Sequence, residues 1–272
     1  MPVAKLADVS IYYEVYGGGE ALLLIMGLGG GSALWFQQVP VFSRQYRVVT
    51  FDNRGTGQSD KPDTPYTMEM MVGDIAGLLE AIGIHAAHVF GVSMGGMIAQ
   101  HFALHHPGRV TSLILGCTTC GGPHSAIPDA EAMILLFDME RMQGLPLEER
   151  AREILPFLLN QDFIDNNPSS IQQLIATMME HSTPPHGYMR QAQAIMGHDT
   201  YERLSEIKVP TLVIAGDADK LVPIENSRIL ASRIPKAELV ILKNMGHGFN
   251  IEAADETNKA ILDFLRRHRY SR

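Results

Sequence analysis

The sequence has few cysteines, no long apolar run and no large cluster of positive charge. Its two cysteines, Cys117 and Cys120, are too few for a disulfide framework in 272 residues, and a chain of this length can bury enough apolar surface to be stable without one. They form a lone Cys-x-x-Cys, and no second pair stands at metal-binding spacing. We therefore expect both cysteines to pack at a strand end, without a redox or metal role.

The lack of long apolar runs and of basic clusters argues against membranes and nucleic acids as partners. The apolar run from Ala21 to Met26 is far too short to cross a bilayer, and Lys5 and Asp8 interrupt the N-terminal segment. The formal net charge of -8 disfavours binding to nucleic acid or to an anionic membrane. These features predict a cytoplasmic protein with a small-molecule partner, as either a monomer or a homodimer.

Short β-rich runs alternate along the chain with longer helical patterns. The inner runs are apolar on both faces, which is typical of strands covered by helices on each side, and the alternation indicates a mostly parallel sheet in an α/β fold. Helices are predicted from Thr67 to Ile82, from Met94 to His105 and from Asp255 to Arg267. The predicted strands are 11–15, 21–25, 47–51, the segment before Ser93, 110–115, 211–215 and 237–242.

A long segment between the strand ending near Gly116 and the strand beginning at Thr211 contains no strand pattern. It is rich in helix formers, and the pair Pro184-Pro185 indicates a helix boundary within it. We predict a helical cap (lid) subdomain over residues 121–205 and a core domain formed by residues 1–120 and 206–272. Methionines at helical spacing are typical of a core, but a lid also has one face towards the substrate, where flexible thioethers suit a lipophilic ligand. The insert contains Met133, Met139, Met142, Met178, Met179, Met189 and Met196.

The most informative local pattern is Gly91-Val92-Ser93-Met94-Gly95, which follows an apolar run and precedes a helical pattern. A Gly-rich turn is the simpler interpretation, but a strand before and a helix after are the context that a nucleophile elbow requires. In an elbow the turn lifts the serine hydroxyl out of the sheet, and the next backbone N–H points towards the developing oxyanion. Ser93 is therefore the candidate nucleophile and Met94 a candidate oxyanion donor.

A serine nucleophile needs a general base and an acidic residue that orients the base. Asp217 and Asp219 both follow the strand that begins at Thr211, and His247 stands between two glycines just after the last predicted strand. Serine, aspartate and histidine thus occur in the chain order that accompanies such an elbow. Position alone leaves both aspartates as candidates.

These residues resemble the α/β-hydrolase superfamily over nearly the whole chain, most of all its small carboxylesterases, 3-oxoadipate enol-lactonase-like enzymes and non-haem haloperoxidase-like hydrolases. The segment Asp52 to Ser59 is similar to that family's Asp-x-Arg-Gly-x-Gly-x-Ser turn, and Gly216, Asp219 and Pro223 match its Gly-x-x-Asp-x-x-x-Pro motif. The resemblance implies an eight-stranded, mostly parallel sheet with helices on both faces and a helical cap insert. It also selects Asp219 over Asp217 as the acid.

The resemblance implies a second oxyanion donor on the loop from Met26 to Gly31. In the family a His-Gly pair usually opens this loop, and the residue after the glycine, here Leu28, donates its backbone N–H. Met26 replaces the histidine, which puts the polar support of the loop in question. Gly27 and Trp35 are the candidate substrate-binding residues, and core packing is the other interpretation of Trp35. A phosphate cradle is the other interpretation of these glycines, but no Lys-Ser/Thr follows them.

The resemblance implies a serine carboxylic ester hydrolase that cleaves esters of small to medium apolar substrates through an acyl-enzyme, without a metal or an organic cofactor. Ser93 excludes the covalent mechanisms of relatives with an aspartate nucleophile. The alternatives are an enol-lactonase, a C–C bond hydrolase, a perhydrolase side activity and, outside enzymes, a ligand receptor on a hydrolase scaffold. Arg190 and Lys220 are candidate partners for the carboxylate of an acidic substrate.

Overall fold

An eight-stranded sheet forms the centre of the fold. The computed structural model describes residues 2–137, 145–180 and 182–269. The strands are β1 (Val3–Lys5), β2 (Ser10–Tyr16), β3 (Ala21–Ile25), β4 (Arg47–Phe51), β5 (Ala87–Val92), β6 (Val110–Gly116), β7 (Thr211–Gly216) and β8 (Ala237–Leu242). They lie in the order β1-β2-β4-β3-β5-β6-β7-β8. β2 pairs antiparallel with β1 and β4, and every other pair is parallel, so the mostly parallel sheet is confirmed.

All the strands predicted from the sequence are present. The sequence does not predict β1, because its three residues alternate between exposed and buried positions and are too few to form a recognisable pattern. The α-helices are α1 (Val39–Phe42), α2 (Met68–Ala81), α3 (Met94–His105), α4 (Ala130–Phe137), α5 (Leu147–Leu158), α6 (Gln161–Asn166), α7 (Pro168–Glu180), α8 (Pro185–Met196), α9 (Ile224–Arg233), α10 (Phe249–Glu252) and α11 (Ala254–Arg267).

Alternate residues of the central strands face two separate apolar clusters. Leu23 and Ile25 of β3 pack with α2, α3 and α9, whereas Leu22 and Leu24 pack on the opposite face with α1 and α11. This follows from the two-residue period of a strand. Helices therefore cover both faces, as the apolar strands predict. The three predicted helices are confirmed to within one residue at each end.

Helices α4 to α8 lie between β6 and β7 in the chain and include a small apolar core of their own. Its buried residues are Ala151, Leu155, Leu159, Ile171, Leu174 and Ile175. Leu34, Phe36 and Ile251, from outside the insert, pack against this core. Helix α8 begins at Pro185, as predicted. The division of the chain at residues 121 and 205 stays a prediction. Among the described residues, no helix combines the length and the apolar character that a membrane crossing requires.

Candidate active site

Ser93 lies at the sharp turn between β5 and α3. Its backbone has φ 55° and ψ -123°, a conformation that a residue with a side chain adopts only at an energetic cost. The turn fits because Gly95 has no side chain: a Cβ there would lie 2.1 Å from the carbonyl oxygen of Ile25. The hydroxyl of Thr118 donates a hydrogen bond to the Ser93 carbonyl oxygen at 2.7 Å. Strand, turn and helix thus present Ser93 as an elbow does.

Asp219 follows β7 and contacts the imidazole of His247, which follows β8. Its Oδ2 lies 2.8 Å from His247 Nδ1. Its Oδ1 accepts hydrogen bonds from the backbone N–H groups of Leu221 and Val222, both at 2.8 Å. These bonds hold the carboxylate in place. When Nδ1 carries its proton, the other ring nitrogen, Nε2, is left as a base.

The competing aspartate, Asp217, contacts different groups. It accepts hydrogen bonds from Lys243 Nζ at 2.9 Å and from the Asn244 backbone N–H at 2.6 Å. The Lys243 ammonium, followed by the Asn244 N–H, holds the pKa of Asp217 below its usual value. The geometry therefore brings Asp219, and not Asp217, to the histidine.

The environment of His247 contains opposing influences on its charge. The side chain is buried, and burial alone would lower the pKa of the imidazole. The negative charge of Asp219 and the neighbouring Cys117 sulfur outweigh burial and raise the pKa of His247 well above its ordinary value. This arrangement favours the protonated imidazole, which is the form a base takes after it accepts a proton.

Cys117 is a residue of the site that the sequence did not identify. It directly follows β6, and its Sγ lies 4.0 Å from His247 Nε2. Its backbone has a positive φ of 38°, which is strained for a residue with a side chain. Within the described part of the chain, the Ser93 hydroxyl makes no hydrogen bond, and Nε2 has Cys117 as its polar neighbour. Hydrogen bonds between nucleophile and base are often long before substrate binds.

Cys117, Asp219 and His247 also form a group whose possible metal-ligand atoms lie within 4.8 Å of one another; it is the one such group among the described residues. The Asp219 carboxylate is already engaged by His247 Nδ1. The Nε2 and Sγ atoms are therefore the two donors left for a cation. Two donors do not make up the four ligands of a typical structural zinc site, so the group does not change the expectation of chemistry without a metal.

Two backbone N–H groups are candidates for an oxyanion hole. Met94 is the first residue of α3, so its N–H has no partner within the helix. Leu28 lines the cavity in front of Ser93. Gly27 lies against the nucleophile, because a Cβ at Gly27 would be 3.1 Å from Ser93 Cβ and 3.6 Å from Ser93 Oγ. Among the described residues, neither the Leu28 nor the Met94 N–H has a hydrogen-bond acceptor.

The loop that contains Leu28 has polar support although Met26 replaces the usual histidine. Asn53 Nδ2 donates to the Met26 carbonyl oxygen at 3.0 Å. Gln191, on α8 of the insert, accepts from the Gly29 N–H through Oε1 at 2.8 Å and donates through Nε2 to the Arg54 carbonyl oxygen at 2.8 Å. A buried glutamine of the insert thus connects this loop with the turn after β4. The sequence offered no local signal for that role.

A cavity of about 290 Å³ lies in front of Ser93 and His247. Core loops form one wall and helices of the insert form the other, with side chains such as Leu135, Leu158 and Leu174. Met178 is the one insert methionine on this wall within the described residues; Met133, Met179, Met189 and Met196 are exposed, and Met139 and Met142 lie outside the described residues. The wall is therefore mainly leucine, not thioether.

The structure corrects two expectations about substrate contacts. Trp35 is fully buried, packs on Phe90 with ring centroids 5.0 Å apart and does not line the cavity; it belongs to the core beneath the sheet. Arg190 pairs with Asp63 at 3.0 Å, and Lys220 donates to a backbone carbonyl oxygen at 2.9 Å. Neither cation lines the cavity. Arg150 of α5 does.

Comparison with known proteins agrees with this geometry. A family model for the alpha/beta hydrolase fold matches residues 20–254. The chain is 32% identical over 266 residues to the protein named "Putative carbamate hydrolase RutD" of Azorhizobium caulinodans. The aligned residues make up 97% of this chain and 98% of that protein. It is 29% identical to 3-oxoadipate enol-lactonase 2 of Acinetobacter baylyi, over 96% of this chain and 94% of that protein.

A solved structure is similar in fold over nearly the whole chain. The enol-lactonase from Burkholderia xenovorans LB400 superposes with a TM-score of 0.85 at 30% identity, over 97% of this chain and 100% of that chain. The family model covers strands β3 to β8, the elbow and the segments that contain Asp219 and His247. The chain therefore belongs to the alpha/beta hydrolase family.

Proposed function

We propose that the protein is a serine hydrolase that cleaves carboxylic esters through an acyl-enzyme. The observation that supports this best is the 2.8 Å contact between Asp219 and His247 at the cavity that also contains the strained Ser93. Nucleophile, base and orienting acid come from three separate loops, and each follows a parallel strand. Such a set serves acyl transfer on unrelated folds.

In this mechanism the Ser93 hydroxyl attacks the ester carbonyl carbon, and His247 Nε2 accepts its proton. Asp219 holds the ring with Nδ1 protonated and stabilises the imidazolium. The Leu28 and Met94 N–H groups donate to the oxyanion of the tetrahedral intermediate. The imidazolium then protonates the leaving alcohol, and water, deprotonated by His247, releases the acid from Ser93.

We further propose that helices α4 to α8 act as a lid that selects the acyl chain. The apolar wall formed by this insert favours small to medium apolar acyl groups close to the reacting carbonyl. Burying an unpaired carboxylate against leucines costs far more free energy than burying a neutral polar group. A short charged acyl group is therefore a poor substrate.

The similarity to proteins named for carbamate hydrolysis and for enol-lactone cleavage supports a second candidate function. In both cases the bond cleaved joins an acyl carbon to a heteroatom, so the same attack by Ser93 applies. A carbamate leaves a carbamoyl-enzyme, and an enol-lactone leaves an acyl-enzyme whose enol leaving group remains attached to the acyl chain. The two candidates differ in substrate and share the residues proposed above.

The test is a panel of esters, lactones, carbamates and dienones assayed with the wild type, Ser93→Ala and His247→Ala. Loss of either side chain should lower kcat by roughly 10⁴- to 10⁶-fold, by analogy with measured triads. Circular dichroism spectra and melting temperatures of the variants serve as the folding control. If Ser93→Ala keeps most of its esterase activity, the mechanism is wrong. Tight binding without turnover of any class would favour a ligand receptor.

A further inference from the structure

We propose that Arg150 binds a carboxylate at the far end of the acyl chain, so that the substrates are esters or lactones of medium-length chains with a terminal carboxylate. This inference deepens the proposed function and rests on it. It identifies a specificity-determining residue on the insert, where the sequence offered Arg190 and Lys220 instead.

The permanently charged side chain that lines the cavity is positive. Among the described residues that line it, Arg150 is the permanently charged side chain, and none is aspartate or glutamate. The remaining walls are mostly leucine, isoleucine, glycine and methionine. A cavity whose described lining has one guanidinium and no carboxylate favours an anion, because the guanidinium attracts negative charge and no acidic side chain repels it.

Arg150 has a hydrogen-bonding capacity that the described residues do not use. Its Nε donates to the Leu145 carbonyl oxygen at 2.8 Å. Among the described residues, the ion pairs of this helix include Arg152 with Glu148 and none that involves Arg150. The adjacent Glu148 pairs instead with Arg152 at 2.8 Å. The two Nη atoms are therefore suited to the paired hydrogen bonds that an arginine makes with a carboxylate.

The helix that contains Arg150 also indicates how far the carboxylate lies from the reaction. Leu147, Arg150, Ile154 and Leu158 line the cavity, and this spacing puts them on one face of α5. At the C-terminal end of α5, the Leu158 carbonyl oxygen accepts from the Gly248 N–H at 2.6 Å, next to His247. Arg150 lies eight residues earlier, which is about 12 Å along the helix axis.

This separation sets the length of the substrate. An acyl chain that reacts beside His247 must pass the apolar wall before its end reaches Arg150. A four-carbon diacid is too short and would leave its carboxylate against leucine. The cavity of about 290 Å³ is at the small end of ligand sites, so one extended chain fits better than a branched or bulky acid. An eight-carbon chain with a terminal carboxylate meets both conditions.

The experiment compares 4-nitrophenyl esters in matched pairs: octanoate with the suberate half-ester, and butyrate with the succinate half-ester. Values of kcat and KM are measured for the wild type, Arg150→Met and Arg150→Lys. Arg152→Met is the matched control, because Arg152 is exposed on the same helix and does not line the cavity. All variants keep the groups that we assign to the chemistry.

Arg150→Met should raise KM for the suberate half-ester by about tenfold to a hundredfold, the effect of a lost charged hydrogen bond. The kcat for the suberate half-ester and both kinetic constants for octanoate should stay within about twofold of the wild-type values. Arg150→Lys should raise KM for the suberate half-ester by less than Arg150→Met does. Arg152→Met should change the kinetic constants of neither ester. The succinate half-ester should be a poor substrate of every variant. An equal loss for octanoate and suberate in Arg150→Met, or no loss for suberate, would overturn the proposal.

A binding measurement separates this proposal from the proposed function. Calorimetry compares suberic acid monoamide, which has one carboxylate and no ester, with octanamide. If the wild type hydrolyses no ester of the panel but binds the monoamide in a manner that Arg150→Met abolishes, the proposed function is wrong and the carboxylate site stands. If the monoamide binds no better than octanamide to the wild type, the carboxylate site is wrong.

Discussion

The sheet and the helical insert contribute to the same cavity in different ways. Ser93, Asp219 and His247 each follow a parallel strand, so the carboxyl edge of the sheet fixes their positions. The insert supplies apolar walls, Arg150 and the buried Gln191. The difference teaches that the groups we propose for the chemistry depend on the central sheet, while the substrate selection that we propose depends on the smaller core of the insert.

The largest expected effect on kcat comes from the sheet region, at the proposed acid Asp219. Asp219→Asn should lower kcat by about 10⁴-fold, because the amide favours the wrong tautomer of His247 and cannot stabilise the imidazolium. Asp217→Asn should change kcat by less than about threefold, since the Asp217 carboxylate accepts from Lys243 and Asn244 and, within the described residues, from no group of the site. Initial rates with a neutral ester measure both. A larger loss for Asp217→Asn would reassign the acid.

Leucine substitutions should show whether the sheet and the insert unfold independently. Leu113→Ala removes a fully buried side chain of β6 and should lower the free energy of unfolding by about 2–5 kcal/mol. Leu155→Ala opens a cavity in the small core of the insert, so it should mainly increase hydrogen exchange in α5 and α7. Urea denaturation followed by hydrogen exchange provides the measurement. Equal exchange increases in β6 and α5 for Leu155→Ala would mean that insert and sheet unfold together.

The same contrast explains how far the sequence predicts the molecule. Strands β3 and β7 are continuous apolar runs, and the elbow, Asp219 and His247 occupy short segments with a defined chain order. These features are local, so pattern and resemblance identified them. The acid needed the resemblance, because position alone did not separate Asp219 from Asp217.

The features that the sequence did not predict depend on contacts between distant residues. Cys117 is 130 residues from His247, and Gln191 is 162 residues from Gly29. No periodicity records such contacts, since they depend on how the insert and the strand ends pack. Trp35 was wrongly expected in the pocket for the same reason: an aromatic residue after a glycine loop has the same pattern whether it faces substrate or core.

Gln191 of the insert contacts the loop that contains the proposed oxyanion donor Leu28. Its loss should have an intermediate effect on kcat. Gln191→Leu removes the acceptor of the Gly29 N–H and the donor to Arg54, so the loop with the Leu28 N–H should become less ordered. We expect kcat to fall about tenfold with little change in KM, less than direct loss of an oxyanion donor.

The controls for Gln191 are available on the same helix. The Gln193 side chain is exposed, so Gln193→Leu should leave kcat unchanged. Gln191→Glu keeps an acceptor for the Gly29 N–H and should lower kcat less than Gln191→Leu does. A change in KM alone for Gln191→Leu would indicate that the insert acts only on substrate binding.

The smallest expected effect concerns the pH dependence of the base and compares the two cysteines. His247 is active as a base only when Nε2 is unprotonated, so kcat/KM for a neutral ester should rise with pH through the pKa of His247. Burial lowers that pKa, and Asp219 and then Cys117 raise it, with a net increase. Glu252, beside the same loop, accepts from the Gly246 N–H at 2.7 Å, and burial raises the pKa of Glu252.

Removal of a group that raises the pKa should move the acidic limb of the profile to lower pH. Cys117→Ala should therefore shift the inflection downwards, and by less than Asp219→Asn shifts it, because Asp219 has the larger influence on the pKa of His247. Cys120→Ala is the matched control, since Cys120 is also buried but contacts the Gly121 carbonyl oxygen and does not line the cavity. A profile for Cys117→Ala that coincides with those of Cys120→Ala and the wild type would show that the sulfur beside His247 Nε2 has no influence on the base.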